Sequence, residues 1–95
     1  MLLSESKNFV LDKVLEKLQE EETKEKFGIQ GVTRNGTDIM VIFSENKEEK
    51  EMDDISQNIS NELLLFLSKF VREEIANLPL LRFSNLNPKT LKIEI

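Results

Sequence analysis

The residues of this chain that could do chemistry are its carboxylates, its lysines and its three arginines, Arg34, Arg72 and Arg82. Histidine and cysteine are both absent, so a Ser–His–Asp triad, a Cys–His pair and a histidine-ligated metal are excluded. Two carboxylates could act as general acid and base. The acids fall on predicted helix surfaces and in a charged connection, where solvation is the simpler role. We therefore expect a non-enzymatic protein with no catalytic residue, cofactor or metal.

The most acidic stretch is residues 44–54, with six acids and two lysines. A calcium loop places oxygen ligands around a sharp glycine turn, and this stretch has no glycine. Weak, nonspecific cation binding is the most that it predicts. A phosphate-binding loop is also missing, because no Lys-Ser or Lys-Thr pair follows Gly28, Gly31 or Gly36.

Length and composition predict a single domain over residues 1–95. Hydrophobic residues make up 39% of the chain and charged residues 33%, a balance typical of a globular protein. The net charge of −5 opposes binding to phosphate backbones. The first five residues lack a signal-peptide pattern, and the longest apolar run, Leu63 to Leu67, is too short to span a membrane. We expect a cytoplasmic protein that does not bind membranes.

Two helices are predicted from apolar residues at three- and four-residue spacing. The first carries Leu11, Val14, Leu15 and Leu18, and Gly28 is its stop signal after a solvated last turn or fraying end at residues 20–26. The second should begin at Asp53 or Asp54 and end before Pro79. Its stripe is unusually wide, so we expect it to be buried on more than one side. Phe66 and Phe70 are expected in the core.

A β-hairpin is the clearest local signal. Asn35-Gly36 lies between two β-prone runs, 27–34 and 37–43, and suits a two-residue type I′ turn. This turn pairs Arg34 with Thr37 and Val32 with Ile39. One face of the hairpin then carries four apolar residues, Val32, Ile39, Val41 and Phe43. The other face carries a second apolar set, Phe27, Ile29, Met40 and Ile42.

The C-terminal residues 90–95 alternate between apolar and polar side chains and predict a third strand. Residues 80–86 are apolar without clear periodicity and are expected to pack down irregularly, ahead of a turn at Asn87-Pro88. The resulting fold class is α+β, a two-layer sandwich of order α-β-β-α-β. Its three-stranded sheet consists of the 37–43/27–34 hairpin and the C-terminal strand, with two helices packed on one face.

The second apolar face of the sheet suggests a function. If two helices cover one face only, Phe27, Ile29, Met40 and Ile42 form a surface that binds a protein partner or a second copy of the chain, most simply as a homodimer. The alternative is that a loop, such as residues 80–86, or the N-terminal helix covers this face and makes it part of the core.

The predicted order of helix, hairpin, helix and strand resembles that of type II KH-like folds, which include ribosome-binding factors. The resemblance is one of element order only, and the hypothesis that goes with it is a nucleic-acid- or ribosome-associated domain. Its candidate contacts are basic residues of this chain, Arg34, Arg82, Lys89 and Lys92. The nucleotide-clamping Gly-x-x-Gly loop is missing, because Gly28 and Gly31 fall in a predicted strand rather than between two helices. Nucleic-acid binding is therefore the second of the two hypotheses.

Overall fold

The computed structural model describes residues 4–95, with side chains from residue 6 onward. The signal-peptide expectation depends on residues 1–5, of which the first three lie outside this range. Three α-helices and four β-strands follow one another within it. Their bounds are α1 Ser4–Leu18, α2 Glu21–Phe27, β1 Ile29–Asn35, β2 Asp38–Phe43, α3 Glu49–Leu67, β3 Arg82–Asn87 and β4 Thr90–Glu94, with a 3-10 turn at Ser68–Phe70.

The four strands form one antiparallel sheet in the order β1-β2-β4-β3. The helices pack on one side of it, so the predicted α+β class is confirmed. The predicted counts are wrong, since the sheet has four strands rather than three and there are three helices rather than two. The extra elements, α2 and β3, arise from segments that were expected to be a fraying helix end and an irregular stretch.

The core lies between the helices and the inner face of the sheet. Its sheet side is formed by alternate residues of the two central strands, all buried: Ile39, Val41, Phe43, Leu91 and Ile93. Its helix side consists of the apolar stripes of α1 and α3: Val10, Leu11, Val14, Leu18, Met52, Ile59, Leu63 and Leu67. Phe66 and Phe70, which were expected in the core, pack against it at its margin and are half-buried.

The β1–β2 hairpin forms with its turn one residue later than predicted. Asn35 pairs with Asp38 across a two-residue loop of Gly36 and Thr37. Only Gly36 has a positive φ, 66°, which is the pattern of a type II′ turn rather than type I′. Val32 consequently faces Val41 instead of Ile39. The observed pairing is shifted by two residues along β2 from the predicted one. Side chains alternate between the two faces with a period of two, so the inner face keeps its predicted residues.

Residues 20–26 do not fray. They belong mostly to α2, which buries Thr23 and Phe27 against the core. Gly28 ends this helix in the left-handed conformation with φ of 68°, and its N–H donates to the Lys24 carbonyl. The predicted stop at Gly28 is confirmed, although it ends a second helix and not the first.

Helix α3 begins and ends earlier than expected. Its N-terminus is a capping box in which Glu48 and Glu51 bond to each other's backbone N–H, so Asp53 and Asp54 lie inside the helix. At the other end, Arg72 has a φ of 79° and the Phe70 carbonyl accepts the N–H groups of residues 73–75. The chain therefore reverses well before Pro79. No helix within residues 4–95 is long and apolar enough to cross a membrane.

Candidate interaction surface

The side of the sheet away from the helices carries the surface that the sequence singled out. One row across it runs Thr33, Met40, Lys92 and Ser84 from β1 to β3. Met40 and Ile42, on the central strand β2, are half-buried and are not among the residues packed on the core. We call this side the open face, because no helix of residues 4–95 packs against it. It has a small apolar centre and a polar rim.

Two of the four predicted surface residues do not lie on the open face. Phe27 and Ile29 are only 8% and 6% exposed and belong to the helix-side core. Phe27 is the last residue of α2 rather than part of a strand. A β-bulge between Ile29 and Gly31 interrupts the alternation of β1, so Ile29 pairs with the inward-facing Phe43. The expected four-residue apolar face is therefore reduced to Met40 and Ile42.

The alternative, in which residues 80–86 cover the second face, is also wrong. Most of this segment forms the edge strand β3, which pairs with β4 and extends the sheet sideways. Phe83 packs against the core, whereas Leu80 and Leu86 stay 79% and 48% exposed. This segment therefore does not cover the open face and instead adds Arg82 and Ser84 to its rim.

The β1 edge of the sheet is closed by side chains from α1 and its connection to α2. Gln19 donates through Nε2 to the Val32 carbonyl at 3.4 Å. Arg34 reaches back to α1, where its guanidinium contacts Asp12 at 2.7 Å and Asn8 at 2.9 Å. The bulge at Gln30 further disrupts this edge. Together these features leave little regular backbone for another strand to pair with.

The β3 edge is open. Phe43 N–H donates to the Lys89 carbonyl at 2.8 Å, which sets the phase of the ladder between β2 and β4. Because hydrogen-bonded pairs alternate along antiparallel strands, Ser84 exchanges hydrogen bonds with β4, and the backbone groups of Phe83 and Asn85 point outward. No other element of residues 4–95 donates to them or accepts from them.

A groove runs beside this open edge, between β3 and α3. Its volume is about 360 Å³. Asn85 Nδ2 donates to the Asp53 carboxylate at 3.4 Å at one end of the groove, which shows that alternate β3 side chains face the helix. Sequence reasoning missed this site because it read no strand in residues 82–87. The alternation of Leu81 and Phe83 with Arg82 and Ser84 is the signal that could have found it.

The four residues of the nucleic-acid hypothesis are not brought together. Arg34 is held against α1 at the closed edge, on the far side of the sheet from the other three. Arg82 and Lys92 lie on the open face and share Glu94, at 4.0 and 3.8 Å respectively. Lys89 is exposed in the β3–β4 turn. This distribution gives no continuous basic stripe for a phosphate backbone.

A larger cleft of about 570 Å³ lies between α2 and α3. Lys26 Nζ and the Glu62 carboxylate contact each other across it at 2.8 Å. Phe27, Ile55 and Leu65 supply apolar walls. None of the described residues that line the cleft carries a hydroxyl or thiol that could act as a nucleophile, and its salt bridge joins two helices. No group of three acids within residues 4–95 is placed to hold a metal ion.

No protein-family model, curated protein or solved structure matches this chain. The added strand β3 and helix α2 also depart from the helix, hairpin, helix, strand order on which the resemblance to KH-like folds depended.

Proposed function

We propose that this chain is a small, cytoplasmic, non-enzymatic domain that binds another protein through the open side of its sheet. The observation that carries the proposal is the asymmetry of the sheet. Helices cover one face and close one edge, while the open face and the β3 edge stay free. An apolar centre within a polar rim is the usual composition of a protein-binding surface, and here Met40 and Ile42 form that centre. The lack of cysteine fits a reducing compartment.

The test compares three versions of the full chain in cross-linking and affinity capture from native extract: wild type, Met40→Asp and Asn58→Asp. Met40→Asp places an unpaired charge in the proposed contact without touching the core. Asn58→Asp makes the same change in charge at an exposed position of α3. We expect a specific protein that cross-links to β2 or β4 and is lost from Met40→Asp but not from the control.

Sedimentation equilibrium of the same variants distinguishes a partner from a second copy. A wild-type dimer that Met40→Asp converts to a monomer would identify the partner as the chain itself. Capture that is equal for all three variants, together with a monomeric wild type, would disprove the proposal. Unfolding of Met40→Asp would also contradict it, because Met40 would then be part of the core.

A further inference from the structure

The edge strand β3 runs alongside the groove that separates it from α3. The wall formed by β3 and the residue before it is apolar at Leu81 and Phe83. The α3 wall is polar at Ser56, Gln57 and Ser60 and carries one acid, Asp53, which accepts the Asn85 hydrogen bond at one end. The outward backbone groups of Phe83 and Asn85 lie between this groove and the open face. A segment that hydrogen-bonds to them would continue the sheet while its side chains project to both sides.

The two sides select different side chains. Residues pointing into the groove would meet Leu81 and Phe83, so apolar side chains suit that side. Residues on the other side would lie beside Arg82, which is 66% exposed and shares the single Glu94 carboxylate with Lys92. Residues 82–94, which form β3, β4 and the turn between them, contain three basic residues and one acid, Glu94, for a net charge of +2. Acidic side chains therefore suit the open-face side.

The size of the site favours a peptide over a second copy of the chain. Six residues of β3, Leu81 before it and four residues of α3 form it, about a third to a half of the 20–30 residues per side of a standard stable interface. Two-fold pairing of β3 with itself would also bring the positive charges of two copies close together. An extended segment of another protein avoids both problems.

We propose that the β3 edge binds an extended partner segment in which apolar residues alternate with acidic ones. This inference rests on the proposed protein-binding function and names the chemistry of the partner. Binding adds a fifth strand next to β3, with backbone hydrogen bonds to Phe83 and Asn85. Apolar side chains enter the groove, and acidic ones pair with Arg82.

The probe is a short, end-blocked peptide that alternates aspartate with valine, titrated into the full chain labelled with ¹⁵N. Its controls are a peptide of the same composition with the valines contiguous and one that alternates lysine with valine. We expect saturable shifts of the β3 amides with the alternating aspartate peptide only. Arg82→Glu should weaken this binding about tenfold or more and should favour the lysine peptide.

Two further variants separate charge from position. Lys69→Glu makes the same charge change at an exposed residue of the 3-10 turn that does not line the groove, and it should leave the affinity unchanged. Gln57→Trp fills the groove and should abolish binding of either alternating peptide. Both substituted residues are exposed, so we expect both variants to fold. The dispersion of the amide signals in the same spectra checks that they do.

Several results would overturn the inference. They are no β3 shift at about 1 mM peptide, equal binding of the contiguous-valine peptide, or a wild-type dimer formed through β3. Tighter binding of a single-stranded oligouridine through Arg82 would assign the cations to nucleic acid instead. If the peptide fails while Met40→Asp still removes a captured protein, the partner chemistry is wrong and the protein-binding function stands.

Discussion

The two edges of the sheet differ in what happens to their free backbone groups. At β1, Gln19 donates a hydrogen bond to the Val32 carbonyl, and a bulge interrupts the regular strand pairing. Arg34 also connects this strand to α1 through a hydrogen bond to a carboxylate there. At β3, the outward groups of Phe83 and Asn85 have no protein partner within residues 4–95. Three features close the β1 edge: the Gln19 hydrogen bond, the bulge and the contacts of Arg34. Along most of the β3 edge, residues 4–95 provide no such feature.

This contrast shows that an edge is closed mainly by residues remote in sequence. The strands themselves are similar, since β1 and β3 each carry a single charged residue, Arg34 and Arg82. Arg34 finds Asp12 and Asn8 within reach on α1. Among residues 4–95, the single acid near Arg82 is Glu94 on the neighbouring strand, at 4.0 Å. Helix α3 lies beside β3 but leaves its outward backbone groups unpaired. Another chain can pair with an open strand edge of this kind.

The largest expected difference between the two sides is in packing. Phe27 at the closed side is buried, whereas Phe83 at the open side is half-buried. Phe27→Ala should lower the free energy of unfolding by about 3–5 kcal/mol, through the cavity it leaves. Phe83→Ala should cost only about 1–2 kcal/mol, because folding buries less apolar area at Phe83 than at Phe27. Urea denaturation of both variants checks this order, and equal midpoints would place Phe27 at the surface.

The β1–β2 turn provides a smaller effect that also tests the register. Gly36 has a φ of 66°, so Gly36→Val should cost about 1–3 kcal/mol in backbone strain. Asn35 lies in the strand and pairs with Asp38, so Asn35→Thr should change stability by less than about 0.5 kcal/mol. If the turn were instead type I′ over Asn35-Gly36, Asn35 would need a positive φ, and Asn35→Thr would then be clearly destabilising. Thermal denaturation distinguishes the two turns.

The parts of the fold predicted from sequence are those with a strong local period or a strong breaker. The stripe of α1, the alternation of β4 and the pairing of two strands around Gly36 are all present. The inner face of the hairpin was also predicted correctly, since a two-position shift in register preserves facing. These features depend on neighbouring residues, whose pattern is visible in the chain itself.

The candidate surface was half predicted, for reasons that lie in tertiary structure. Met40 and Ile42 were placed correctly, because β2 alternates without interruption. Ile29 was misplaced by a bulge, which adds one residue and reverses the facing of everything before it. Phe27 was misplaced because Glu21–Phe27 forms a helix whose stability depends on packing rather than on its own charged sequence. The groove beside β3 required knowledge of which helix lies next to which strand.

A third test concerns the backbone where the chain passes from α2 into the edge strand β1. Gly28 and Gly31 both adjoin the bulge, but only Gly28 has a positive φ. An added Cβ would meet ordinary contacts at most at either position. Gly28→Ala should therefore cost about 1 kcal/mol from backbone conformation alone, and Gly31→Ala should be close to neutral. Chemical denaturation of the pair measures this, and equal costs would mean that α2 does not end in the left-handed conformation.

The smallest expected effect compares the two edge arginines directly. Arg34→Met removes the contact with Asp12 at 2.7 Å and the hydrogen bonds to Asn8 and the Gly36 carbonyl. The Asp12 side chain is 67% exposed, so solvent screening limits the loss to about 0.5–1 kcal/mol. Arg82→Met removes one long contact at 4.0 Å and should cost almost nothing. In about 1 M salt the loss from Arg34→Met should shrink, because its ion pair is screened, while that from Arg82→Met stays near zero. If Arg82→Met proved the more costly of the two, Arg82 would be structural at β3, and its availability to an acidic partner strand would be refuted.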